Sequence, residues 1–116
     1  MAKLNMLVLK TRDPKRLSGF YELLGLEFNH HRHGSGPYHY ANEQDGFVFE
    51  IYPLPNEKDP VDISSRLGFE IEDLRSTIDS LKNNNNEIIR EPKQTEWGLI
   101  AVVKDPDGRK VELKEV

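Results

Sequence analysis

Two stretches of the chain repeat one pattern, each led by a strand and closed by a glutamate on another strand, and this duplication limits the folds available to it. The first runs Leu4-Asn5-Met6-Leu7-Val8-Leu9 into Asp13-Pro14 and later reaches Phe47-Val48-Phe49-Glu50-Ile51-Tyr52. The second runs Arg66-Leu67-Gly68-Phe69-Glu70-Ile71 into Asp73-Leu74 and ends in Val111-Glu112-Leu113-Lys114. Met6 thus corresponds to Arg66, Asp13 to Asp73 and Glu50 to Glu112. Internal similarity of this kind predicts two copies of one supersecondary unit. At 116 residues the copies are modules of a single domain, 1–116, too short to be two independent domains.

Alternation in residues 4–11 predicts a strand with Leu7 and Leu9 on one face and Met6, Val8 and Lys10 on the other. Asp13 then offers a capping carboxylate to a helix that starts at Pro14, where a missing N–H costs nothing. Leu17, Phe20, Tyr21 and Leu24 follow at helical spacing, and Gly25 suits a left-handed stop. A meander is expected next: strands over 26–33, 38–42 and 47–52, with turns at Gly34-Ser35-Gly36-Pro37 and Asp45-Gly46. The second copy repeats the order. Asp73 is the cap, Leu74, Ile78 and Leu81 form the helix stripe, Asn83 to Asn86 break it, and strands are expected over 87–91, 99–104 and 110–114. The polar, proline-bearing segment between the copies reads as a linker. Module one is therefore 1–54, the linker 55–65 and module two 66–116, in an α+β architecture of two tandem βαβββ modules.

Composition narrows the partners. Sixteen basic residues against twenty acidic ones leave a net charge of −4, with no Lys/Arg run able to track a phosphate backbone, so nucleic acid is not expected. No segment approaches a membrane span or a signal peptide, and a cytoplasmic location is expected. The absence of cysteine removes disulfides, thiolate metal sites and a cysteine nucleophile together.

Asp13-Pro14 with Gly19-Phe20-Tyr21-Glu22-Leu23-Leu24-Gly25-Leu26, and Trp97-Gly98 with Asp105-Pro106-Asp107-Gly108-Arg109-Lys110-Val111-Glu112-Leu113, resemble the two signatures of the vicinal oxygen chelate superfamily. That superfamily holds glyoxalase I, bleomycin-resistance proteins and extradiol dioxygenases. The resemblance implies paired modules forming a curved mixed sheet around a cavity. It also implies four metal-ligand positions, which here fall on Met6, Glu50, Arg66 and Glu112. Both glutamates match the metal-dependent pattern and both histidines are missing. A thioether and a permanently charged guanidinium make a poor shell for a hard or borderline ion, so no metal or other cofactor is expected there. Arg66 could instead lie between the two glutamates as a polar floor, or all three could be ordinary strand charges.

A second cluster is His30-His31-Arg32-His33 with His39 across the turn. His31 and His33 are expected to share a strand face with His39 brought near them across the turn, a spacing able to take up zinc or nickel. The hairpin itself holds no acidic or thiol partner, and half-exposed hairpin histidines are the plainer reading. His39, Tyr38 and Tyr40 are also placed to touch a ligand if the hairpin rims the cavity, as the resemblance implies. Trp97 either shapes the cavity mouth or packs.

The expected ligand-binding set is therefore Met6, Glu50, Tyr52, Arg66, Glu112, His39 and Trp97. The first function expected is metal-free binding of a small polar organic molecule by a homodimer. The alternative is a metal-dependent lyase, isomerase or ring-cleaving dioxygenase using Glu50 and Glu112, although an adjacent Arg66 would depress the pKa a general base needs. A protein-interaction module with a plugged cavity is the third possibility.

Overall fold

A computed structural model describes all 116 residues. They form two compact units, Met1–Asp62 and Ile63–Val116, which divide within the expected linker. No helix is long and apolar enough to cross a membrane.

The first unit contains β1 (Met6–Thr11), α1 (Pro14–Glu22), β2 (Asn29–His31), β3 (His39–Gln44) and β4 (Phe47–Pro53). Its sheet runs β1-β4-β3-β2, with β1 parallel to β4 and the other pairs antiparallel. The period-2 alternation of β1 sends Leu9 and Thr11 into the core, while Met6 stays half exposed. Helix α1 starts as its residues require: the Asp13 carboxylate accepts from the Arg16 N–H at 3.1 Å, and Pro14 fills the first helical position. Its buried face of Leu17, Phe20 and Tyr21 meets the sheet, where the Tyr21 ring stands edge-on to Phe49 at 5.1 Å. Gly25 takes the left-handed conformation expected of it, with φ 104°.

Asp45 and Gly46 both have positive φ, 52° and 81°, the signature of a tight hairpin turn whose twist matches the strands. Their two-residue loop sets the β3–β4 register, in which Gln44 faces Phe47, Ala41 faces Glu50 and Tyr40 faces Ile51. The strand expected over 26–33 contracts to β2. Phe28 turns its ring toward Phe49, 5.9 Å away, and the Asn42 side chain donates to the Glu27 carbonyl at 2.9 Å, which replaces ladder pairing there.

The second unit repeats the plan with β5 (Leu67–Ile71), α2 (Leu74–Asn83), β6 (Ile88–Thr95), β7 (Gly98–Lys104) and β8 (Lys110–Glu115) in the order β5-β8-β7-β6. Asp73 caps α2 by accepting from the Ser76 N–H at 3.1 Å, and the stripe Leu74, Ile78, Leu81 is buried. The helix runs one residue into the asparagine run, which then closes it. The Asn84 and Asn86 amides donate to the carbonyls of Ser80 and Leu81, and Asn85 turns left-handed at φ 62°. Strand β6 extends to Thr95, well past the expected Glu91, with register shifts against β7 on both sides of Arg90.

The Asp105-Pro106-Asp107-Gly108 turn carries more structure than its turn propensity suggests. The Asp105 Oδ1 accepts from the backbone N–H groups of Asp107, Gly108 and Arg109 at 2.9–3.0 Å. Arg109, fully buried, donates from Nη1 to Asp105 Oδ2 at 3.1 Å and Asp107 Oδ2 at 3.0 Å. Burial opposes its charge, but the two carboxylates outweigh that and raise its pKa, so the guanidinium stays protonated.

Candidate functional site

Residues opposite one another in a ladder share a face, so the register of the first sheet determines which side chains meet. On the face away from α1, Met6 pairs with Val48, Val8 with Glu50 and Lys10 with Tyr52. On the neighbouring strand Ala41 sits opposite Glu50, and one alternation further along β3 lies His39, itself paired with His31 of β2. The face thus runs from exposed aliphatic groups (Met6 51% and Val8 37% exposed) to an aromatic and imidazole end.

At that end His39 is almost fully buried, with 1% exposure. Its ring stacks on Tyr52, centroids 4.0 Å apart and planes 9° from parallel. The His31 ring stands 4.4 Å from His39, and the His33 ring 5.1 Å from each of them. Glu50, also buried, brings its Oε2 to 3.1 Å from His39 Nε2. On the other side of the ring, His39 Nδ1 lies 3.3 Å from the Pro37 carbonyl, which can only accept. The Tyr52 phenol has its pKa raised, first by burial and then by the negative charge of Glu50, and remains a neutral donor.

The hairpin lacks an acidic partner, as its sequence indicates, but the adjacent strand supplies one. Of the expected glutamate-bearing set, Glu50 alone joins the histidines in one cluster. The reading of half-exposed histidines therefore fails for His39. Tyr38 and Tyr40 group with His30 instead, the ring centroids 5.2 and 4.5 Å from it, and the Arg32 guanidinium lies 4.9 Å from the Tyr38 ring. Tyr40 shares its register position with Ile51, on the α1 side of the sheet. Glu50 as a partner of the histidines is what sequence reasoning missed. The signal lay in the Asp45-Gly46 turn, which fixes the register and so places Glu50 diagonal to His39.

In the second unit Arg66 and Glu112 stand 4.0 Å apart, with about half of each side chain in solvent. An ion pair so exposed contributes little to stability. Trp97 occupies the β6–β7 hairpin tip, where its backbone N–H donates to Thr95 Oγ1 at 3.1 Å and 68% of the residue is exposed. The four positions Met6, Glu50, Arg66 and Glu112 carry groups of different chemistry. Met6 offers a soft thioether, Arg66 directs a cation at Glu112, and the Glu50 carboxylate is turned to His39.

Comparison with known proteins gives a consistent result. The family model described as Glyoxalase/Bleomycin resistance protein/Dioxygenase superfamily matches residues 3–113. The chain is 38% identical over 65 residues to the uncharacterized protein YetH of Bacillus subtilis (strain 168), covering 56% of this chain and 54% of that one. It is 42% identical over 45 residues to a probable lactoylglutathione lyase of Synechocystis sp. (strain ATCC 27184 / PCC 6803 / Kazusa), covering 37% of this chain and 34% of that one. The matches thus span about half, or less, of these curated relatives. Among solved structures, TnmS3, an antibiotic binding protein from Streptomyces sp. CB03234, superposes with a TM-score of 0.74 at 20% identity, covering 99% of this chain and 96% of that one.

Proposed function

Because the chain belongs to the glyoxalase/bleomycin resistance protein/dioxygenase superfamily, we propose that it is a binding protein for a small polar organic molecule and holds no metal at the set Met6, Glu50, Arg66 and Glu112. The observation that carries this reading is the exposed sheet face of the first unit. Met6 and Val8 lie open at one end of it beside Val48, and the stacked Tyr52 and His39 rings lie at the other end of the same face. Apolar side chains left open next to stacked aromatic and polar groups suit a flat organic ligand, whose rings cover the aliphatic part while its polar atoms meet the Tyr52 phenol and Lys10. The antibiotic-binding function given for TnmS3 supports a sequestering role on this fold. A lactoylglutathione lyase activity would need a full ligand set, and Met6 and Arg66 do not supply it. The same reading takes the protein to be a cytoplasmic homodimer, an assembly that sedimentation equilibrium measures.

The test is a ligand-observed NMR screen of planar, oxygen-bearing organic compounds against wild type and Met6→Asp. Compounds are expected to bind wild type and to lose about tenfold or more in affinity, roughly 1.4 kcal/mol, when a carboxylate is placed on the apolar part of the face. Binding indifferent to Met6→Asp, or a metal-dependent lactoylglutathione lyase activity lost in Glu112→Gln, would overturn the reading.

A further inference from the structure

We propose that His31, His33, His39 and Glu50 form a binding site for a divalent ion of the zinc class, at a position built from the β2–β3 hairpin. Glu50 alone is shared with the four positions tested above, and the site does not depend on whether an organic molecule occupies the sheet face. Four potential ligand atoms, from β2, the β2–β3 loop, β3 and β4, lie within 4.8 Å of one another. A shell of about 2.0–2.2 Å bonds to imidazole nitrogen and carboxylate oxygen sets neighbouring donors a little over 3 Å apart, and His39 Nε2 and Glu50 Oε2 already stand at 3.1 Å. His33, which is exposed, already has a ring nitrogen within 4.8 Å of the other ligand atoms and completes the set.

The second observation is an unsatisfied atom. With Nδ1–H donating to the Pro37 carbonyl, a neutral His39 must carry its lone pair on Nε2. That nitrogen is buried and makes no hydrogen bond, although the Glu50 carboxylate is close by. A lone pair facing an anionic oxygen away from water is unfavourable without a cation to take both. A proton on Nε2 would have to point along the line to Glu50 as a hydrogen bond, and the geometry lacks that alignment. A metal ion bound off that line serves both donors. The backbone contact at Nδ1 and the stack on Tyr52 hold the ring in the orientation and tautomer that ligation needs, the part played by outer-shell groups in metal centres. Three imidazoles and one carboxylate select a borderline transition ion over magnesium or calcium, which prefer oxygen-only shells.

The experiment is equilibrium dialysis of the full, tag-free, metal-stripped chain against zinc chloride with elemental analysis, supported by the visible spectrum of the cobalt(II)-loaded protein. Wild type is expected to take up about one ion per chain and to give an intense tetrahedral-type cobalt spectrum. Glu50→Gln and His33→Ala should each weaken uptake at least tenfold, while Arg66→Ala and Glu112→Gln leave it unchanged and excess magnesium does not compete. His33 is exposed, so its variant tests the site even if a change at the buried Glu50 disturbs folding. No uptake, uptake by surface histidines that ignores Glu50→Gln with circular dichroism unchanged, or uptake lost in Glu112→Gln would each overturn the proposal.

Discussion

Arg109→Met is expected to destabilise the second unit by about 3–5 kcal/mol, the range seen when one partner of a buried ion pair is removed. The guanidinium is wholly buried and bonded to both Asp105 and Asp107, so methionine replaces the stem but leaves the Asp105 carboxylate buried without its counter-charge. Asp105 also holds the turn through three backbone N–H groups that meet its Oδ1. The amide oxygen of asparagine can still accept those three bonds. The double variant Arg109→Met, Asp105→Asn should therefore be more stable than Arg109→Met alone, because it removes the stranded charge and keeps the turn. Urea unfolding followed by circular dichroism measures the difference. A double variant that is the less stable of the two would mean the turn depends on the charge of Asp105 and not on its acceptor geometry.

Tyr21→Ala is expected to cost a similar amount, about 3–5 kcal/mol, through lost ring burial and the cavity left behind. Tyr21 is fully buried on α1 and edge-on to both Phe20 and Phe49, at 5.0 and 5.1 Å. Phe49 belongs to β4, the strand that carries Glu50 and Tyr52 on its other face, so this packing supports the site from behind. Tyr21→Phe preserves both edge contacts and should cost much less. Thermal melts of the two variants would separate ring packing from the hydroxyl, and equal losses would contradict the account.

Much of the fold was legible because local chemistry and global pattern agree. Asp13 and Asp73 cap the helices they precede, Gly25 closes α1, and the alternation of β1 sorts Leu9 from Met6 as a half-buried strand requires. Misread boundaries arose where side chains took over from the backbone ladder, as Asn42 does at Glu27 and the asparagine amides do at the end of α2. The burial of Arg109 depends on two aspartates folding back over it, and the spacing of Asp105, Asp107 and Arg109 carries that information only once the turn geometry is known. The candidate site was half visible. Its histidines were evident from spacing along one hairpin, but the carboxylate comes from the next strand, and only the register set by Asp45-Gly46 joins them.

If the sheet face of the first unit is the small-molecule surface proposed, Met6 is placed to report on it. The chain has two methionines, so a spectrum of methionine-methyl-labelled protein is sparse, and Met6→Leu identifies the Met6 signal at once. Titrating in the compounds that bind should move the Met6 methyl resonance in step with occupancy, and should broaden or shift the ring signals of Tyr52 and His39 at the other end of the same face. Compounds that bind while leaving the Met6 methyl unmoved would contradict the account and place recognition elsewhere in the chain.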